Sequence, residues 1–122
     1  MPAPDPITPV HKDHYSQVQH NIDATGLNST PSVSCERYSS MHIQVVWADH
    51  ADTSDFEIQS SIDGTNWDTV TGSSTTTSGA DGSESIVINP NAFKSVRVTV
   101  TEVDAAGDYA VYFFQKRVQN RS

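Results

Sequence analysis

The segment from Asp55 to Val70 constrains the fold more than any other part of the chain. It reads DFEIQSSIDGTNWDTV, in which an Asp63-Gly64 pair separates two short segments rich in strand-forming residues. An Asp-Gly pair in this setting is a strong signal of a β-hairpin, because glycine adopts positive φ without steric cost and aspartate tolerates it. The segment therefore predicts two antiparallel strands joined through residues 62–67.

Alternation of apolar and polar residues continues along the chain from Ser32. A period of two runs through 33–36, 41–47, 56–59 and 96–101, which indicates half-buried strands. The low-complexity segment 72–83 is expected to be a loop that the core does not need. In the last predicted strand, 109–118, Val111 to Phe114 are apolar without alternation. That strand should be central and covered on both faces, or else present one face to another protein.

Composition favours a thin core built from strands. Only 35% of the 122 residues are hydrophobic, Leu27 is the only leucine, and valine, isoleucine and threonine are frequent. β-branched residues favour strands, and the length suits one domain. We therefore predict an all-β fold, a small antiparallel β-sandwich that is jelly-roll-like. An extended N-terminal arm over residues 1–31 is expected to precede a sandwich domain over residues 32–122.

The predicted arm differs from the rest of the chain. Prolines at 2, 4, 6, 9 and 31 interrupt it, and its apolar residues are too sparse to bury a face of their own. We expect the arm to lie along the sandwich or along a neighbouring subunit. Its predicted partner-binding residues are the scattered apolar ones, namely Ile7, Val10, Tyr15, Val18 and Ile22.

Charge and hydropathy exclude several classes of partner. The net charge is −8 and the basic residues are scattered, which argues against nucleic acid because phosphate binding needs clustered lysine and arginine. No apolar run approaches the length of a transmembrane helix, so no membrane partner is expected. The first five residues, MPAPD, do not resemble a signal peptide, and we expect synthesis in a host cytoplasm.

No motif for catalysis stands out, and we predict a protein that is not an enzyme and uses no cofactor and no metal. The single cysteine, Cys35, is interpreted as a packing thiol rather than a nucleophile. His11 and His14 could share one helical face, and the acidic loop Asp49 to Asp55 has oxygens that suit Ca²⁺. Neither has the spacing of a dedicated site, and solvated residues are the preferred interpretation of both.

One set of residues resembles a known family. The motif runs aromatic-x-Ile-Gln-x-Ser-x-Asp-Gly-x-x-Trp from Phe56 to Trp67, followed by Lys-x-Val-Arg-Val from Lys94 to Val98 and a glycine-then-aromatic strand, 107–114. It is similar to the discoidin-like, jelly-roll β-sandwich modules of tailed-phage structural proteins and of some carbohydrate-binding modules. The resemblance covers residues 39–118 and implies that Trp67 is a core residue.

The resemblance implies a structural function in a virion. We expect a capsid decoration or cement protein that contacts other virion proteins, such as a major capsid or tail protein, and other copies of itself. The alternative is a carbohydrate-binding module of a phage tail or fibre, with Tyr109, Tyr112 and Arg97 as ligand-binding residues. Trp47 is in register with Met41, Ile43 and Val45 and is expected in the core instead.

Overall fold

The computed structural model describes residues 10–11, 15–23, 28–35, 38–88, 94–103 and 107–116. Within these ranges the regular structure consists of β-strands. The strands are β1 (Val10–His11), β2 (Tyr15–Asp23), β3 (Val33–Ser34), β4 (Ser40–Ala48), β5 (Ser54–Ser61), β6 (Asp68–Thr69), β7 (Thr75–Thr76), β8 (Gly82–Ile88), β9 (Ser95–Val103) and β10 (Asp108–Lys116).

The strands form two antiparallel sheets. One has the order β1-β2-β10-β4-β8; the other has the order β3-β9-β5-β6, with β7 also paired to β5. We call them the first and the second sheet. Apart from the two-residue strands β1 and β7, the eight remaining strands cross between sheets in the order of a jelly roll. The all-β, jelly-roll-like sandwich expected from the sequence is confirmed, and the structure adds the strand order.

The core lies between the two sheets and follows the period-two alternation of the sequence. On β4 the side chains of Met41, Ile43, Val45 and Trp47 are buried, while His42 and Gln44 between them are exposed. The facing layer comes from Phe56 and Ile58 on β5 and from Val96, Val98 and Val100 on β9. Trp47 is therefore a core residue, as predicted.

The expected boundary at residue 31 is wrong, because a long strand before it belongs to the sandwich. β2 pairs with β10 over nine residue pairs, from Tyr15↔Lys116 to Asp23↔Asp108. The inward side chains of β2 are Ser16, Val18, His20 and Ile22, and only two of these four are apolar. The weak apolar alternation hid a strand that pairing with β10 holds in place.

The hairpin predicted around Asp63-Gly64 is present. β5 and β6 pair through Ser60↔Asp68 and Gln59↔Thr69, and Gly64 has a φ of 78°. The carboxylate of Asp63 accepts hydrogen bonds from the backbone N–H groups of Thr65 and Asn66, each at 2.8 Å. These bonds lower the pKa of Asp63, because they stabilise its charged form. The connection is thus a longer loop organised by one carboxylate.

The segment 72–83 was expected to be dispensable to the core, and this expectation is wrong. Ser73 and Thr77 are each only 1% exposed. The Ser73 hydroxyl accepts a hydrogen bond from the Ile58 N–H, and Thr77 Oγ1 accepts one from the Ser54 N–H. The segment lies along the edge of β5 that faces away from β9, where its small hydroxyl side chains satisfy buried backbone donors.

The last strand, β10, is central in the first sheet, between β2 and β4. Its inward residues Tyr109, Val111 and Phe113 are buried, while on its outer face Tyr112 is half-buried and Phe114 is 40% exposed. The strand is central, as the first of the two alternatives from the sequence required, but it is not covered on both faces by the described residues, and the second alternative, an outer face presented to another protein, stays a prediction.

Cys35 lies in the core with 2% of its surface exposed. Burial raises the pKa of its thiol to about 12, so the reactive thiolate is scarce at neutral pH. Its interpretation as a packing thiol is confirmed.

Candidate binding surface on the first sheet

Two rows of side chains cross the outer face of the first sheet. In an antiparallel ladder, residues directly opposite each other point to the same face. Tyr112 on β10 is opposite Gln19 on β2 and Gln44 on β4, and Gln44 is in turn opposite Ser85 on β8. These four side chains form the first row.

The second row is centred on Phe114. This residue lies opposite Gln17 on β2 and His42 on β4, and His42 lies opposite Val87 on β8. Val87 is 72% exposed and Phe114 is 40% exposed. Two of the larger exposed apolar residues therefore share one row. We call the two rows together the outer-face patch.

A shallow groove of about 230 Å³ lies within the outer-face patch. Its lining consists of Gln17, His42, Gln44, Tyr112, Phe113 and Phe114. The ring of Tyr15, from the start of β2, stacks on Phe114 with their centroids 6.0 Å apart and their planes at 30°. The groove thus combines aromatic rings with side-chain amides that can both donate and accept hydrogen bonds.

The outer-face patch contains no carboxylate, lysine or arginine, although the chain carries a net charge of −8. The outer side of the second sheet differs in that it carries charged side chains. Asp55 lies opposite Glu102 on the neighbouring strand, and Arg97 lies opposite Gln59. A surface of aromatic rings and amides can stack against a partner and form hydrogen bonds with it.

The three ligand-binding residues expected from the sequence are not brought together. Tyr112 lines the groove on the first sheet. Tyr109 is fully buried, so its prediction as a ligand-binding residue is wrong. Its hydroxyl donates a hydrogen bond to Ser54 Oγ at 2.8 Å, and its ring packs edge-on against Phe56 at 5.6 Å. Neighbouring positions on a strand point to opposite sides, which separates Tyr109 from Tyr112.

Arg97 lies on the second sheet and therefore cannot join Tyr112 in one site. Its Nε donates a hydrogen bond to Gln59 Oε1 at 2.9 Å, and its guanidinium carbon lies 4.3 Å from the centroid of the Trp67 ring. This cation–π contact covers one face of Trp67. Trp67 is half-buried, whereas the resemblance implied that it is a core residue.

The five arm residues that were predicted to contact a partner also differ in where the fold places them. Val18 and Ile22 are 9% and 3% exposed and face the interior of their own domain, so their prediction as partner contacts is wrong. Tyr15 is half-buried beside Phe114 and belongs to the margin of the outer-face patch. Val10 forms part of β1, but its side chain is outside the described residues, as is the whole of Ile7.

Sequence reasoning missed Gln17, Gln44, His42 and Phe114 as candidate site residues. A signal for two of them was available, because the alternation of β4 assigns His42 and Gln44 to the face opposite Met41 and Ile43. Their neighbours across the sheet could not be assigned without knowing that β10 lies between β2 and β4.

The candidate metal sites gain no support. His11 and His14 have no described side chains. In the acidic loop, Asp49 donates its backbone N–H to Asp81, and the Asp52 carboxylate accepts the N–H of Thr53. Across the described ranges, no group of three or more histidine, cysteine or acidic side chains is placed to hold a metal ion. The same ranges contain no helix long and apolar enough to cross a membrane.

Comparison with known proteins gives matches at the level of the fold. The sequence matches no protein-family model and no curated protein sequence. Among solved structures, the SPBc2 prophage-derived protein YomS is 12% identical with a TM-score of 0.60, and the match covers 87% of this chain and 97% of YomS.

Two further matches have TM-scores of 0.48. A protein of the Bacillus endospore appendages, which are disulfide-linked pili, is 13% identical, with 88% of this chain and 93% of that chain covered. A carbohydrate-binding module, CBM4, is 8% identical, with 93% and 77% covered. The likeness to YomS establishes a β-sandwich fold that this chain shares with a prophage-derived protein.

Proposed function

We propose that the chain is a non-enzymatic structural protein of a phage particle, a capsid decoration or cement protein that attaches to neighbouring virion proteins through the outer-face patch. The observation that carries the proposal is the exposure of Phe114 and Val87 in one row without carboxylate, lysine or arginine on an acidic protein. Phe114, on which Tyr15 stacks, and Val87 lie on either side of His42, and exposed apolar and aromatic side chains grouped on one face are a feature of interaction sites in soluble proteins. The setting in a phage particle comes from the sequence resemblance, and the fold shared with YomS is compatible with it.

Our proposal places the attachment on the sheet, whereas the sequence alone suggested the arm. The predicted anchors Val18 and Ile22 are used inside the domain, whereas Tyr15 stacks beside Phe114 on the surface. Ile7 and Val10 remain predicted partner contacts. Burial of an apolar side chain in an interface contributes about 1.5–3 kcal/mol when it is complete. A few such residues together contribute several kcal/mol, part of which offsets the entropy lost on association.

A Phe114→Lys substitution tests this attachment. Lysine in place of Phe114 removes an apolar contact and leaves a charge to be desolvated, so we expect about a tenfold loss of attached copies. The measurement is the copy number of a tagged chain in purified phage particles, determined by quantitative mass spectrometry.

The matched control is Ile62→Lys. Ile62 is 75% exposed and lies in the β5–β6 loop of the second sheet, so this variant should attach at the wild-type level. Absence of the wild-type chain from particles would exclude the virion function. Equal attachment of both variants would exclude the outer-face patch as the contact.

A carbohydrate-binding function is the second candidate, and the lining of the groove favours it. Tyr112 and Phe114 can stack on a sugar ring, and Gln17 and Gln44 can hydrogen-bond hydroxyl groups without introducing charge. The ligand expected from this chemistry is a neutral oligosaccharide.

A Tyr112→Ala substitution tests the carbohydrate candidate. Wild-type protein should show saturable shifts of the Gln17 and Gln44 side-chain amides on an NMR titration with neutral oligosaccharides. Loss of the stacking ring should weaken that binding by about tenfold, because a well-packed aromatic contact contributes 1 kcal/mol or more. Binding that is unchanged in the variant, or an absence of shifts at millimolar sugar across a glycan panel, would exclude this candidate.

A further inference from the structure

β8 is the outermost strand of the first sheet in the described part of the chain. It pairs with β4 through seven consecutive residue pairs, from Gly82↔Trp47 to Ile88↔Met41, without a bulge. Its other edge faces no strand among the described residues. The peptide groups along that edge form a template for another extended chain.

The remaining edge strands are much shorter. β1, β3 and β6 end the sheets elsewhere, and each has two residues. A very short edge strand is one way in which proteins prevent unwanted pairing. β8 lacks this protection, and its sequence, GSESIVI, contains neither proline nor lysine. Of the four terminal strands, β8 is therefore the one long enough to accept a strand along its length.

The two halves of β8 differ in chemistry. In its second half Val87 is 72% exposed, and Ile86 and Ile88 are half-buried against the core. In its first half Glu84 is exposed, and Asp81 precedes the strand and accepts a hydrogen bond from the backbone N–H of Asp49. The edge thus runs from an acidic end to an apolar end.

We infer that the outer edge of β8, which pairs with no other described strand, binds an extended segment of a neighbouring protein that is apolar at one end and basic at the other. The segment would add a strand to the first sheet, with its basic residues beside Glu84 and Asp81 and its apolar residues beside Val87. Such strand addition combines backbone hydrogen bonds for affinity with alternate side chains for specificity.

Charge complementarity selects a basic partner over a second copy of this chain. Each copy carries a net charge of −8, so pairing of two β8 strands brings together two acidic molecules without adding a basic group at the acidic ends. The inference rests on the proposed function in that the partner is a protein, and it adds the conformation and charge pattern of the segment bound.

A synthetic peptide tests the inference on the isolated protein. The probe is a ten-residue peptide in which valine and threonine alternate and two lysines stand at the carboxyl end, which matches antiparallel pairing with β8. We expect NMR shifts and slowed amide exchange centred on residues 83–88. A control peptide with proline at alternate positions cannot form the ladder and should not bind.

Two protein variants separate charge recognition from general attraction. Glu84→Gln should weaken binding of the lysine peptide by about two- to fivefold, in keeping with an exposed ion pair. Glu102→Gln is the matched control, because Glu102 is also exposed but lies on β9 of the second sheet, and it should bind as the wild type does.

Two results would overturn the inference. One is an absence of shifts in β8 at millimolar peptide, and the other is a concentration-dependent dimer that protects β8 without peptide. If the wild-type chain attaches to particles but does not bind the peptide, only this inference is contradicted and the proposed function stands. Loss of attachment in Phe114→Lys with intact peptide binding leaves the edge site standing and locates particle attachment on the outer-face patch.

Discussion

His50 is a buried histidine at the end of the core beside Tyr109. It is 4% exposed, and its ring meets Tyr109 edge-on at 5.0 Å. Neither ring nitrogen has a hydrogen-bond partner among the described residues. Burial lowers its pKa below the ordinary value of 6.5, and the nearby Asp108 and Asp81 only partly oppose this effect. The folded protein therefore favours the neutral ring.

This arrangement predicts a loss of stability in mild acid. The unfolded chain binds a proton at His50 near pH 6.5, while the folded chain binds it only at lower pH, so the free energy of unfolding falls as the pH drops below 6.5. Above pH 6.5 the His50 ring is mostly neutral in both the folded and the unfolded chain, so it no longer lowers the free energy of unfolding. The slope for one histidine reaches at most about 1.4 kcal/mol per pH unit.

Urea unfolding at pH 7.5 and 5.5 measures this dependence. The control is His50→Phe, which keeps an aromatic ring beside Tyr109 but cannot be protonated. We expect the variant to lose less stability between the two pH values than the wild type does. Burial also lowers the pKa of His20, and this residue is unchanged in both proteins. Identical pH dependence of the two proteins would show that His50 does not contribute.

Among the elements, β5 has one backbone N–H, that of Ile58, whose partner is the side chain of Ser73, a residue outside the strands. Ser73 accepts the Ile58 N–H at 3.1 Å and donates its hydroxyl to the Val70 carbonyl at 2.6 Å. The ladder of β5 with β6 ends at Gln59↔Thr69, so the serine continues the hydrogen bonding beyond the last paired residues. A buried N–H that lost this partner would be unsatisfied.

Replacing Ser73 with alanine should lower the free energy of unfolding by about 1–3 kcal/mol. The control Ser74→Ala removes an exposed hydroxyl next to it and should change stability by no more than about 0.5 kcal/mol. Urea denaturation followed by tryptophan fluorescence measures both variants. Equal stability of the two variants would mean that segment 72–83 is as dispensable as the sequence suggested.

Strands with strong apolar alternation could be predicted, and the first long strand could not. β4, β5 and β9 each carry at least two apolar residues at alternate positions, and all face the core as expected. β2 presents Ser16 and His20 inward beside Val18 and Ile22, so its pattern resembles that of a polar segment. What holds β2 is its pairing with a strand more than 80 positions further along the sequence, and local pattern contains no information about that pairing.

At the scale of the whole molecule, fold class and site differ in how far the sequence predicts them. Short alternating strands and a thin core predict a sandwich. This prediction does not require the strand order, because several strand orders satisfy the same pattern. The outer-face patch depends on one particular order, since Gln17, Phe114, His42 and Val87 meet only when β10 lies between β2 and β4. Residue type alone grouped Tyr109, Tyr112 and Arg97, whereas the fold buries Tyr109 and places Arg97 on the other sheet, and ligand binding by Tyr112 stays a prediction.

The central position of β10 also determines when the first sheet can form during synthesis. A ribosome makes β2 and β4 long before it makes residues 108–116, and both strands pair with this later segment over nine positions each. Until then, neither strand has its native neighbour on that side. The nascent chain therefore keeps the facing edges of β2 and β4 unpaired until β10 has been made, and the first sheet is completed by the insertion of this one strand between them.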